Sequence, residues 1–194
     1  MRRRLRQLLF LGGVVCIIIG LVMVLGPLFG LWQRGQADQD ALNHWITHPV
    51  ANTRHHSCGG GAPNDYALLT FSSPQVDQYN YAGVSGDGTW DLLQSRSMVH
   101  YHDSPAPGQL GNAIIAFHRE PDFEHIDQFD IGGVVSVQDR TCATFKYQVT
   151  QRWILYPKDV HQLVSTTGHD LTLITCHPWW DDSKRIVWRA TLIS

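Results

Sequence analysis

The chain has 194 residues, 43% hydrophobic and 16% charged, with a formal charge of −2. That composition belongs to a folded protein and excludes a disordered or low-complexity chain. Setting aside Arg2, Arg3, Arg4 and Arg6 leaves 11 basic residues against 17 acidic ones, a charge of −6 for everything after residue 32, which argues against nucleic acid or an anionic surface as partner.

In chain order, residues 1–7 form a basic stub, and residues 8–32 (LLFLGGVVCIIIGLVMVLGPLFGLW) carry no charge. About 20 apolar residues span a bilayer, so 8–32 is expected to be a transmembrane anchor. The arginine cluster precedes it, and only Arg34 follows closely before Asp38 and Asp40, so the positive-inside rule puts the N-terminus in the cytoplasm and the rest outside. A cleaved signal peptide is the competing reading, but its apolar region is only about 7–15 residues long. Residues 33–65 read as a linker and irregular entry segment, containing the stretch HHSCGGGAPND.

Residues 66–194 read as mainly β. Strands are expected at 66–71, 112–118, 133–138, 144–154, 171–176 and 186–193, with short helices at 89–94 and 158–164. In 144–154, Phe145, Tyr147, Val149 and Trp153 alternate with polar residues, the signature of a half-buried strand. In 171–176 the apolar residues fall on both parities, so neither face is left to water; 112–118 reads as an apolar strand. Clusters such as SGDG, DSPAPGQLGN and TTGHD separate the strands, and many short strands so spaced indicate a barrel or a sandwich.

The last apolar strand, LTLIT, runs directly into Cys176 and the turn HPWW. A cysteine there is either a small core hydrophobe or a nucleophile at the rim of a sheet. A cysteine enzyme needs a thiolate, a neighbouring base and donors for an oxyanion. His118 ends the strand NAIIAFH and Arg185 begins RIVWRATLI, so all three residues sit at strand ends. His177 is the local rival for the base, but adjacent residues on a strand point to opposite faces. His55, His56 and Cys58 fit no zinc spacing, so no metal is expected. Cys58 and Cys142 both lie in the exported part, where oxidation is permitted, and a bridge between them would leave Cys176 free. Arg189 lies on the same parity as Arg185 but about 13 Å further along the strand, too far to reach the thiol, and is expected in a surface ion pair.

The segment TLITC (172–176) resembles the TLxTC signature of sortases, the membrane-anchored cysteine transpeptidases of Gram-positive-type cell surfaces. PGQLGNAIIAFHRE (107–120) resembles the family's PGxxGNxxIAGHR segment, and KRIVWRATLI (184–193) is similar to its closing arginine strand, in the same His, Cys, Arg order. The likeness covers roughly residues 83–193.

The resemblance implies a closed eight-stranded β-barrel with short helices, preceded by one transmembrane helix in a single-pass cell-membrane protein. It implies that Cys176 attacks the Thr–Gly carbonyl of an LPxTG- or LAxTG-like sorting signal. His118 is then the acid/base, Arg185 the oxyanion donor, and Thr175, Trp179 and Trp180 line the substrate site. The partners are secreted proteins with a C-terminal sorting signal, an amine from a cell-wall precursor or a pilin lysine, and membrane lipid through the anchor. No cofactor is implied. Phe117 stands where the family usually has Gly, and the usual Ile-Pro-x-Ile of the first strand is missing, YALLTFSSP being a poor match. The loop 177–184 looks more like classes D or E than class A. Two other functions compete: a catalytically silent sortase-like module with Phe117 blocking the site, and a papain-like hydrolase, whose Cys precedes its His in the chain, the reverse of this order.

Overall fold

The computed structural model describes residues 2–47, 50–52, 55–58, 64–74, 81–119, 122–159 and 161–194. Helix α1 runs without a break from Arg2–Thr47 and is long and apolar enough to cross a membrane. It does not stop at residue 32: the part of the expected irregular segment from 33 to 47 is helical. The reason is a second pattern beyond the apolar run. Leu31, Arg34, Gly35, Asp38, Ala41, Leu42 and Trp45 are the residues there that lose exposure, and they recur every three or four positions, the spacing of one helix face. That face lies on the following strands: Trp45 is 4% exposed and donates Nε1–H to Gln138 Oε1 at 2.9 Å, and the Ser97 hydroxyl donates to the Asp38 carboxylate.

Two short strands, β1 (Val50–Asn52) and β2 (His55–Ser57), pair antiparallel. Cys58, just beyond them, is disulfide-bonded to Cys142 with a Cα–Cα distance of 5.1 Å. The bond closes a loop with a sequence separation of 84, which by chain entropy contributes about 4–5 kcal/mol.

Eight strands then close into a barrel: β3 (Ala67–Ser72), β4 (Ala82–Gly88), β5 (Met98–Tyr101), β6 (Gly111–Phe117), β7 (Val134–Asp139), β8 (Thr144–Leu155), β9 (His169–His177) and β10 (Lys184–Leu192). Their order around the barrel is β10-β8-β7-β3-β4-β5-β6-β9. Neighbours are antiparallel except for β4 with β5 and β6 with β9, which run parallel. Six of these strands are the ones expected. The other two, AGVSGDG and MVHY, were not. β4 carries the residues of a turn because its glycines serve close approach: a Cβ at Gly86 would sit 2.8 Å from Leu92 Cδ2 and 2.9 Å from Arg96 Cδ. The expected short helices are 3-10 turns at Trp90–Gln94 and His161–Leu163.

The interior is filled by alternate residues of each strand. Ala113, Ile115 and Phe117 of β6, Leu171 and Leu173 of β9, and Ile186, Trp188 and Ala190 of β10 all belong to it. Phe71, Phe117, Phe123, Phe129 and Trp188 form its aromatic centre, with ring centroids 5.2–6.4 Å apart. Each such side chain contributes about 1.5–3 kcal/mol by burial. β6 is covered outside as well: Asn112 donates Nδ2–H to the Val164 carbonyl at 3.0 Å, so the chain around residues 162–164 lies over it. Two covered faces explain why NAIIAFH is apolar on both parities.

Candidate active site

β6, β9 and β10 are consecutive in the barrel, and their registers bring three strand ends together. β6 and β9 run parallel with Ala116 opposite Ile174. Two residues further in the same register stand His118 and Cys176, on one face and on neighbouring strands roughly 4.8 Å apart. On the other side, Arg185 is the direct antiparallel partner of Cys176. Side chains of directly opposed residues share a face. A row His118–Cys176–Arg185 therefore crosses three strands at one end of the barrel, on its outer surface.

His118 and Cys176 line one cavity of about 450 Å³, together with Arg34, Trp179, Trp180, Asp181 and Asp182. Cys176 is half-buried and not disulfide-bonded. His118 is fixed by its flank: its backbone N–H donates to the Ser97 carbonyl at 2.8 Å, and its Nε2 lies 2.8 Å from the Leu93 carbonyl. A carbonyl only accepts, so Nε2 carries the proton in this arrangement and Nδ1 keeps its lone pair when the ring is neutral. Arg34 Nη1 stands 3.5 Å from the same Nε2 and, being a donor too, acts there as a neighbouring cation.

Arg185 shares the backbone row but not the cavity. Its Nη1 donates to the Asp182 carbonyl at 2.7 Å and to the Lys184 carbonyl at 2.9 Å, so its guanidinium is held against the loop whose Asp181 and Asp182 form the rim. Arg189, opposite Thr172, is far down the strand as expected. It is not a surface ion pair, however. Its side chain is 12% exposed; Nε donates to Thr172 Oγ1 at 2.8 Å, Nη2 donates to the Gln162 carbonyl, and Asp170 is 4.0 Å away. Burial lowers the pKa of Arg189, with Asp170 opposing the shift.

Thr175 is on the inner parity, outside the cavity. It is buried, and its hydroxyl donates to the Phe117 carbonyl at 2.5 Å, tying the last residue of β6 to β9. Trp179 and Trp180 do line the cavity; they meet edge to face at 5.7 Å and remain 37% and 69% exposed. Phe117 is 3% exposed and points into the aromatic centre, so its ring does not enter the cavity. His177 turns inward as well. Nη1 of the buried Arg119 donates to His177 Nδ1 at 3.2 Å, and Arg119 Nη2 donates to Asp127 Oδ1 at 2.5 Å. Burial, with the Arg119 charge second, pushes the His177 pKa down.

The residue that sequence reasoning passed over is Arg34, noted only as a charge after the apolar run. The signal was present: Arg34 belongs to the three-to-four-residue stripe from Leu31 to Trp45. Asp38 belongs to it too. Burial raises its carboxyl pKa, against the lowering effects of Ser97 and His118.

A family model described as Sortase domain matches residues 74–193. No protein of curated function matches the chain. Among solved structures the chain is similar to a sortase D5 transpeptidase of Clostridium perfringens, at 19% identity and a TM-score of 0.58, over 83% of this chain and 98% of that one. It is also similar to a sortase E mutant of Streptomyces avermitilis, at 25% identity and a TM-score of 0.54, over 68% and 89% of the two chains. A third is a sortase C of Clostridium perfringens with a C-terminal cell-wall sorting motif, at 20% identity and a TM-score of 0.55, over 64% and 69%.

Proposed function

The chain belongs to the sortase family of transpeptidases, and from that premise we propose that it cleaves an LPxTG- or LAxTG-like sorting signal between Thr and Gly and passes the acyl part to an amine. The observation that carries this reading is the row His118–Cys176–Arg185 on three adjacent strand ends, with the first two residues facing one cavity.

In the proposed reaction the Cys176 thiolate attacks the threonyl carbonyl carbon. The C–S bond forms, and the carbonyl oxygen takes up negative charge. Arg185 donates to that oxygen once its guanidinium leaves the Asp182 carbonyl, a short movement for a side chain at a strand end. The C–N bond then breaks, and protonated His118 gives its proton to the departing glycyl amine. In the second half, an incoming amine loses a proton to His118 and attacks the thioester, and the C–S bond breaks to restore the thiolate. Water in place of the amine gives hydrolysis. Trp179 and Trp180 form one wall of the peptide groove, and Thr175 is a positioning residue that keeps the ends of β6 and β9 in register. The sorting motif held by the similar Clostridium perfringens sortase C supports the substrate class. The natural acceptor is a cell-wall precursor or a pilin lysine.

We assign 1–7 to the cytoplasm, 8–32 to the bilayer and 66–194 to an extracellular catalytic barrel, on the strength of the arginine cluster and the apolar helix. Phe117 packed inward argues against a silent, blocked barrel.

The test is incubation of the detergent-solubilised chain with a library of LPxTG- and LAxTG-like peptides plus an amine, read by mass spectrometry. The expected products are a thioacyl adduct on Cys176 and an amine-capped peptide. An intact library with a native fold would overturn the reading.

A further inference from the structure

Helix α1 carries both the apolar run and one wall of the cavity. The run has 25 residues, 8–32. At 1.5 Å per residue it is about 37 Å long, against about 30 Å of hydrocarbon, so roughly its last turn stands in the interfacial layer. The side chains there suit that layer: Phe29 and Trp32 are exposed, with ring centroids 5.7 Å apart.

The barrel does not stand clear of this level. Gln94 and Ser95 share a cavity with Gly30, inside the apolar run, and with Arg34. Arg34 follows Trp32 by only about 3 Å of helix and lines the catalytic cavity with Trp179 and Trp180. A cavity of this volume is about 10 Å across, comparable to a headgroup layer of roughly 5–8 Å per leaflet. The two indoles therefore lie within about 13 Å of the level of Trp32 whenever α1 spans a bilayer, and of this edge-to-face pair Trp180 is 69% and Trp179 37% exposed. Indoles with an apolar body and one N–H favour this layer.

We propose that the loop from Pro178 to Asp182 is a membrane-docking surface: Trp179 and Trp180 insert into the bilayer interface beside Trp32, and the cavity opens at the height of the lipid headgroups. The occupant is a zwitterionic interface. Asp181 and Asp182 flank the indoles and oppose anionic lipid, and Arg34, Lys184 and Arg185 balance them. Docking at two points, the helix and the loop, holds the barrel at one tilt.

The inference rests on α1 spanning a bilayer, part of the reading above, and its test needs no catalysis. The full chain carrying Trp32→Phe, to remove the anchor's own indole, is reconstituted in phosphatidylcholine vesicles containing a nitroxide either at the headgroup or deep in the acyl chain. Headgroup nitroxide is expected to quench a distinct fraction of the tryptophan emission. Adding Trp179→Phe and Trp180→Phe removes most of that fraction, and Trp180→Phe alone removes part of it. Adding Trp45→Phe, which lies further along α1 on the barrel side, leaves it unchanged. A chain that inserts but shows the same headgroup quenching with and without the two indoles overturns the docking surface alone. A chain that does not insert overturns both this inference and the membrane reading.

Discussion

The two faces of the β6–β9–β10 ribbon are built from neighbouring residues and have opposite character. Inside, the polar groups beside the thiol are tied to structural partners. The Thr175 hydroxyl is spent on the Phe117 carbonyl, and the His177 Nδ1 lone pair accepts from Arg119, which Asp127 also holds. Outside, one residue away in each strand, His118 and Cys176 face an open cavity, and Arg185 is held by carbonyls of its own loop. The contrast between His177 and His118 teaches the point best. Both lie close to the thiol, but an imidazole whose lone pair is already bonded and whose pKa is pushed down by burial is a structural group. One held at Nε2 by a carbonyl, with its ring lining a cavity, can move protons.

The strongest way to break this comparison is Cys176→Ala. It should abolish the thioacyl adduct in mass spectrometry while leaving the thermal melt within about 1 kcal/mol of the parent, since the side chain faces a cavity and not the core. Residual peptide cleavage would put the nucleophile elsewhere.

Next come two arginines on one face. Arg185→Ala should lower turnover by roughly 10²–10³, the cost of an oxyanion donor, at unchanged stability. Arg189→Ala should lower turnover by less than about tenfold but cost about 1.5–3 kcal/mol in urea denaturation, because its charged hydrogen bonds to Thr172 and Gln162 are partly buried. Equal kinetic losses would mean the division of labour along β10 is wrong.

Thr175→Val tests the inner face. It strands the Phe117 carbonyl, so stability should fall by about 1–3 kcal/mol, with kcat reduced less than about tenfold as His118 loses its register. A large kinetic loss without destabilisation would return Thr175 to the substrate.

The smallest effect concerns pH. The folded-state pKa of His177 lies below its ordinary value, so the unfolded chain binds more protons and stability is lost as pH falls through the imidazole range. His177→Gln, which keeps an acceptor for Arg119, should flatten the drop in urea midpoint between about pH 8 and about pH 5. An unchanged slope would show that His177 does not contribute.

How much was legible in advance varies by residue. The apolar run, the half-buried pattern of β8, the apolar strand β6 and the two-sided apolar strand β9 could be read directly, because each reflects a local period or a local lack of polar groups. β4 and β5 could not. Glycines placed for Leu92 and Arg96, neighbours distant by only a few residues but packed in three dimensions, look like a turn when read along the chain. The second half of α1 was also missed, since a stretch with nine polar residues in fifteen after an apolar helix resembles a linker unless the face they present is known.

The amino-acid sequence by itself determined the family through three spaced segments, a helix apolar enough to cross a membrane through 25 uncharged residues, and the parity that separates Cys176 from His177, since all three are properties of order and period. Tertiary structure alone decided which strands become neighbours. It set Cys176 between His118 and Arg185, closed Cys58 onto Cys142, turned Phe117 inward, and carried Arg34 from the end of the apolar run into the cavity. Those outcomes depend on barrel closure and helix docking, long-range contacts whose energies no local pattern records.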